Sequence, residues 1–161
     1  MNTPTRPARP IRVALLGAES TGKTTLAAEI ADAMTARGYK VKLVTEVLRE
    51  WCEREQRTPR QDEQATIAHE QARRALAPVA ADFVIADTTP LMTAVYSQLL
   101  FSDESLHPFA AEHQRHYDLT LLTGLDMPWV ADGISATGRM CANRSTGWCA
   151  MRCRPRACAG R

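Results

Sequence analysis

Four short apolar runs, each closing on glycine or a polar residue, alternate along the chain with segments whose apolar residues recur at helical spacing. "IRVALLG" (Ile11–Gly17) is β-branched and apolar and reads as a buried strand. From Thr24 to Arg37, Leu26, Ile30, Ala33 and Met34 fall on one helical face, and Gly38 stands where a helix stop belongs. "KVKLVTE" (Lys40–Glu46) is the next predicted strand. Gln64–Leu76 is polar, rich in Ala and poor in helix breakers, and reads as a helix ending before Pro78. Asp82–Thr89 is a third apolar run, closing on Asp87. Pro90–Phe101 restarts a helix with proline in its first turn, His107–His116 reads as another, and "DLTLLTG" (Asp118–Gly124) as a fourth strand. This alternation predicts an α/β fold, a parallel sheet with right-handed crossovers.

The first strand runs into "GAESTGKTTLA". Gly17, Gly22, Lys23 and Thr24 satisfy G-x-x-x-x-G-K-[ST], with a strand before and a helix after. Glycines let the backbone wrap an anion, and the loop N–H groups with the helix N-terminus face its phosphates. Lys23 is then expected on the β- and γ-phosphates and the Thr24 hydroxyl on Mg²⁺. A glycine-rich turn that only caps a helix is the alternative, and the strand–loop–helix context speaks against it.

Two further places carry candidate chemistry. Asp87 closes an apolar strand and is expected to hold the Mg²⁺ shell or take a proton from an attacking hydroxyl; a helix cap is its plainer role. "TEVLREW" (Thr45–Trp51) lies at the C-terminal end of the second strand, the edge where open α/β sheets bind ligands. Glu46, Arg49 and Glu50 there are either contacts to a second substrate's hydroxyls or a solvated helix start. Trp51 and Trp129 are either stacking partners for an aromatic ring or packing residues.

Composition adds bounds. The 161 residues suffice for one core, 45% are hydrophobic, and no apolar run reaches the length of a bilayer span. "MNTPTRPARP" (residues 1–10) lacks an apolar core of the secretory kind and reads as a disordered lead-in, so the expected location is cytoplasmic and no membrane partner is expected. The net charge of +2 is unevenly spread. Ile134–Arg161 holds six Arg and no acid, and four of the five Cys: Cys141, Cys149, Cys153 and Cys158.

Several segments together resemble the NadR-like family of P-loop kinase domains, whose best-known members are ribosylnicotinamide kinases: "LLGAESTGKTTLA", "TEVLREW", "FVIADTTPLMTAVYS" and "DLTLLTGLDMPWVADG". The resemblance runs from about Ile11 to Gly133. It implies a three-layer P-loop NTPase fold that binds ATP and Mg²⁺ along Gly17–Thr25, including Glu19, Ser20, Thr21 and Thr25. It further implies that Asp87 acts at the acceptor hydroxyl and that Glu46, Arg49 and Glu50 help bind a nucleoside. "PWVADG" (Pro128–Gly133) leads into a lid over ATP, with Trp129 and Asp132 in the expected substrate-binding set. Family members often carry W-E-Y-G-R-E-Y and D-T-D where this chain has "TEVLREW" and "DTT", so both departures touch the acceptor site. The expected function is ATP-dependent phosphoryl transfer to a small hydroxylated acceptor, a nucleoside such as nicotinamide riboside. An ATP-binding module without catalysis is one alternative; another is an NTPase switch, with Gln64 or Gln98 placing the water.

The family pattern is expected to continue past Gly133 with a lid helix and a final strand; here it breaks off. Back-translated with G or C at free third positions and read from the last base of codon 134, residues 134–151 become "QRDGPDVREPVDRLVRDA", an arginine-bearing amphipathic stretch. A single-base deletion near codon 134 is therefore the expected origin of the Arg/Cys-rich tail, residues 134–161. A zinc site is disfavoured by the absence of a C-x₂-C pair. A nucleic-acid arm is disfavoured by the absence of any binding-fold motif.

Overall fold

The computed structural model describes residues 5–124. Four strands form one parallel sheet: β1 (Ile11–Leu16), β2 (Val41–Val44), β3 (Phe83–Asp87) and β4 (Leu119–Leu122), in the order β2-β3-β1-β4. Ile11 lies opposite Phe83 and Leu15 opposite Asp87, while Val13–Leu16 pairs with Leu119–Leu122. All four strands therefore end at the same edge, and the loop after β1 lies between those after β3 and β4.

Period-two alternation sorts the β1 and β3 side chains between two helical layers. Val13, Leu15 and Ile85 pack with Ala27, Leu26, Ile30 and Ala31 of α1 (Lys23–Ala36). On the other side Leu16 joins a larger cluster built by α2 (Val47–Glu55), α3 (Gln64–Leu76), α4 (Pro90–Phe101) and α5 (His107–Gln114). A 3₁₀ turn, Gln61–Glu63, leads into α3. Leu15 and Ile85 are fully buried, each contributing roughly 1.5–3 kcal/mol relative to exposure. The result is the parallel α/β sheet that the alternating pattern predicts, in the three layers that the family resemblance implies.

Local chemistry sets the boundaries. Helix α1 ends with Gly38 at φ +87°. The Gly38 N–H donates to Thr35 O and the Tyr39 N–H to Met34 O, the paired bonds of a Schellman stop. Helices α3 and α4 take the predicted limits. For α4, Thr89 caps the start by accepting from the Leu91 N–H at 3.2 Å, and Pro90 occupies the first turn. Strands β2 and β4 are shorter than the predicted Lys40–Glu46 and Asp118–Gly124, because each strand extends only as far as its neighbour supplies ladder partners. Residues 5–10 form no regular element, yet Arg9 donates to both carboxylate oxygens of Asp118, at 2.9 and 2.5 Å. Among the described residues no helix is long and apolar enough to cross a membrane.

Candidate functional site

The loop between β1 and α1 is shaped by three left-handed or unusual residues: Gly17 at φ +147°, Ser20 at +57° and Gly22 at +75°. Only glycine fits position 17. A Cβ there would lie 2.0 Å from Thr123 Oγ1 and 3.2 Å from Thr21 Oγ1. Gly22 is the N-cap of α1 and supplies no side-chain cap. The first-turn N–H groups, which have no acceptor within a helix, thus face the loop's concavity, where an anion is favoured.

Two side chains of the first turn of α1 are held by hydrogen bonds beside the loop. Lys23 is 7% exposed, and its Nζ donates to Ala18 O at 2.5 Å, which holds the ammonium over the loop. Thr24 Oγ1 donates to Asp87 Oδ2 at 2.6 Å. Asp87 sits at the end of β3, 3% exposed, and its Oδ1 is buried with no hydrogen-bond partner. An orphaned buried carboxylate oxygen beside a hydroxyl is a pair of hard oxygen donors, the kind that suits a small divalent cation.

The loop opens into a cleft lined by Gly17, Glu19, Lys23, Glu46, Arg49 and Thr88, with Leu48, Met92 and Tyr96 as its apolar wall. Glu46 is a further carboxylate here, its side chain only 12% exposed. Burial pushes its pKa above the ordinary carboxylate value and Asp87 adds to this, while Lys23 and Arg49 oppose it. Arg49 Nε lies 3.5 Å from Glu46 Oε2.

Of the expected acceptor residues, then, Glu46 and Arg49 meet the phosphate loop. Glu50 turns away, accepting from Thr45 Oγ1 and from Arg74 Nη1 at 2.6 Å. Trp51 packs against the helical core, with the Arg57 guanidinium 4.7 Å from its ring centroid. Thr25 is exposed on α1 and Ser20 is half-buried in the loop. Gln64 donates to Pro59 O at 3.5 Å, while Gln98 donates to Glu104 Oε1 at 2.5 Å and meets His107 Nε2 at 2.7 Å; neither lines the cleft. Trp129, Asp132, the expected lid and the tail lie outside the described residues.

Three residues that the sequence reading did not single out support the site. Gln71 of α3, 2% exposed, accepts from the Val47 N–H at 2.8 Å and donates to Thr45 O at 3.3 Å and Thr88 O at 3.4 Å. It ties the Glu46 segment to the turn after Asp87. Thr88 is buried at φ +72°, an unusual conformation for a β-branched residue, and its N–H donates to Leu15 O at 3.1 Å. Thr123, after β4, meets Thr21 Oγ1 at 2.6 Å. The "TTP" that follows Asp87 was the one legible signal for Thr88.

Comparison with known proteins gives the family and the fold. A family model described as AAA domain matches residues 12–146, most of the chain. Among solved structures, a NadR protein in complex with NR aligns at a TM-score of 0.66 and 22% identity, over 88% of this chain and 40% of that one. A NadR protein in complex with NAD and AMP-PNP aligns at 0.65 and 23%, over 86% of this chain and 39% of that one. The chain thus spans about two-fifths of the length of these structures. No curated protein matches it. With its phosphate loop, parallel sheet and carboxylate-ended third strand, the chain belongs to the AAA domain family and shares the P-loop fold of NadR.

Proposed function

We propose that this protein transfers the γ-phosphoryl group of ATP to a hydroxyl of a small acceptor, a nucleoside such as nicotinamide riboside. The observation that carries this is the 2.6 Å bond from Thr24 Oγ1 to Asp87 Oδ2, at a loop whose Lys23 lines the cleft shared with Glu46 and Arg49. The presence of Glu46 and Arg49 in a cleft shared with Lys23 supports an acceptor beside the nucleotide.

The loop N–H groups and Lys23 hold the phosphates of ATP and balance their charge. Thr24 and Asp87 are the residues that would hold Mg²⁺, through the hydroxyl oxygen and the orphaned carboxylate oxygen. When bound, Mg²⁺ supplies charge neutralisation on the phosphate oxygens. Glu46 and Arg49 orient the acceptor's hydroxyls, with Met92 and Tyr96 against its apolar parts. In the transfer, a bond forms between the acceptor oxygen and the γ-phosphorus as the bond from that phosphorus to the β,γ-bridging oxygen breaks. The acceptor proton passes to a carboxylate, either Asp87 at the end of β3 or Glu46 in the cleft. Catalysis is mainly positioning and charge stabilisation.

The test is ADP formation from ATP–Mg²⁺ across a panel of nucleosides. ADP that appears only with an acceptor, and disappears in Lys23→Ala, is the expected result. ADP formed without any acceptor would point instead to an NTPase, and nucleotide binding without turnover to a binding module.

A further inference from the structure

Thr123 stands directly after β4, on the side of the phosphate loop opposite Asp87. Its N–H donates to Leu16 O at 2.9 Å, which fixes its backbone to the end of β1. Its Oγ1 lies 2.6 Å from Thr21 Oγ1 and 3.2 Å from Leu16 O. Thr21 Oγ1 in turn donates to Ala18 O at 2.8 Å, and Ala18 O also accepts from Lys23 Nζ at 2.5 Å. Each hydroxyl has one proton. The shortest contacts are satisfied together when Thr123 donates to Thr21 and Thr21 donates to Ala18 O. That carbonyl then meets both the relay and the ammonium with its two lone pairs. The same Thr123 hydroxyl fills the space that a side chain at Gly17 would need.

We infer that Thr123 is a positioning residue for nucleotide: its hydroxyl, acting through Thr21 and the Ala18 carbonyl, sets the phosphate loop and Lys23 in their binding geometry. The inference rests on the nucleotide-binding part of the proposed function, and it adds a residue from the strand beyond the loop's own motif. Thr21 is buried, so a lost partner there is not replaced freely by water.

The test is the Kd of a fluorescent ATP analogue, measured by titration on the full chain and on Thr123→Val, Thr123→Ser, Thr21→Val and the double Thr21→Val/Thr123→Val variant. Thr123→Val should weaken binding roughly three- to ten-fold, the loss of one or two hydroxyl hydrogen bonds. Thr123→Ser, which keeps the hydroxyl, should stay within about two-fold of the parent on the same reasoning. The double variant should lose much less than the product of the two single losses, since both break one relay. A structural defect would not be rescued by serine and would add. If Thr123→Val fails to fold, the serine variant and Thr21→Val still decide. Unchanged binding in Thr123→Val, a serine variant as weak as valine, or additive losses would overturn the inference while leaving nucleotide binding intact. A parent chain that binds no nucleotide would overturn the functional reading as well.

Discussion

Thr24 Oγ1 donates to Asp87 Oδ2 at 2.6 Å, joining the first turn of α1 to the end of β3 across 63 sequence positions. Neither residue can be exchanged for an isostere without consequence. Asp87→Asn keeps the shape but removes the charge and one acceptor oxygen. Transfer should fall by about two orders of magnitude or more, as when a single charge-stabilising group is lost, with the fold retained. Steady-state ADP formation and a thermal melt on the same variant check this pair of outcomes.

Glu46 gives a prediction with opposite signs for stability and activity. Its folded pKa is raised, chiefly by burial, above the ordinary value of 4.5. As pH rises through 4.5 the unfolded chain releases this proton first, so the fold loses stability on that account as pH increases above 4.5. Glu46→Gln removes the buried charge. At neutral pH the variant should melt at a higher temperature than the parent, yet turn over acceptor poorly. Melting curves between pH 4 and 8, paired with ADP assays, report both.

Gln71→Leu should be costly despite its apolar surroundings. It strands the Val47 N–H and withdraws a donor from Thr45 O and Thr88 O. A buried unsatisfied donor costs about 1–3 kcal/mol, so the midpoint of denaturant unfolding should fall. Amide exchange at Val47 should accelerate in the variant, whereas amides of β1 should change little.

Much of this fold was legible in the sequence, and the reasons are local. Pro90 and Pro78 punctuate α4 and α3, and the spacing of Gly17, Gly22 and Lys23 marks the phosphate loop by its own chemistry. Asp87 could be read as functional because its apolar strand ends beside that loop. Helix α2 was harder to see: it has nine residues, is largely charged, and shows Val47, Leu48, Cys52 and the half-buried Trp51 to the core. Apart from Thr88, the supporting network was not legible. Thr21 and Thr123 meet across 102 positions, and Gln71 reaches Val47 across 24. Such pairs follow from strand order and helix docking. The same is true of Glu50: its neighbours in sequence suggest a site residue, and only the packing of α3 shows it tied to Arg74.

His113 should make the fold sensitive to mild acid. It is 4% exposed, beside Phe109, His116 and Tyr117, and burial pushes its pKa down from 6.5 to about 4, with the charges of His116 and Arg12 adding to the effect. The unfolded chain gains this proton near pH 6.5, whereas the folded chain resists it until about pH 4. Stability contributed by neutral His113 is thus lost as pH falls from about 6.5 to about 4. Thermal midpoints across that window should drop in the parent chain and flatten in His113→Leu.

The proposed chemistry is phosphoryl transfer at the junction of Lys23, Thr24 and Asp87. Mass spectrometry of nicotinamide riboside and other nucleosides, after incubation with the protein and ATP–Mg²⁺, tests it most directly. The expected product is a nucleoside carrying one added phosphoryl group, formed by the parent chain and not by Lys23→Ala. Full nucleotide binding with no phosphorylated product from any nucleoside, or equal product from Lys23→Ala, would contradict it.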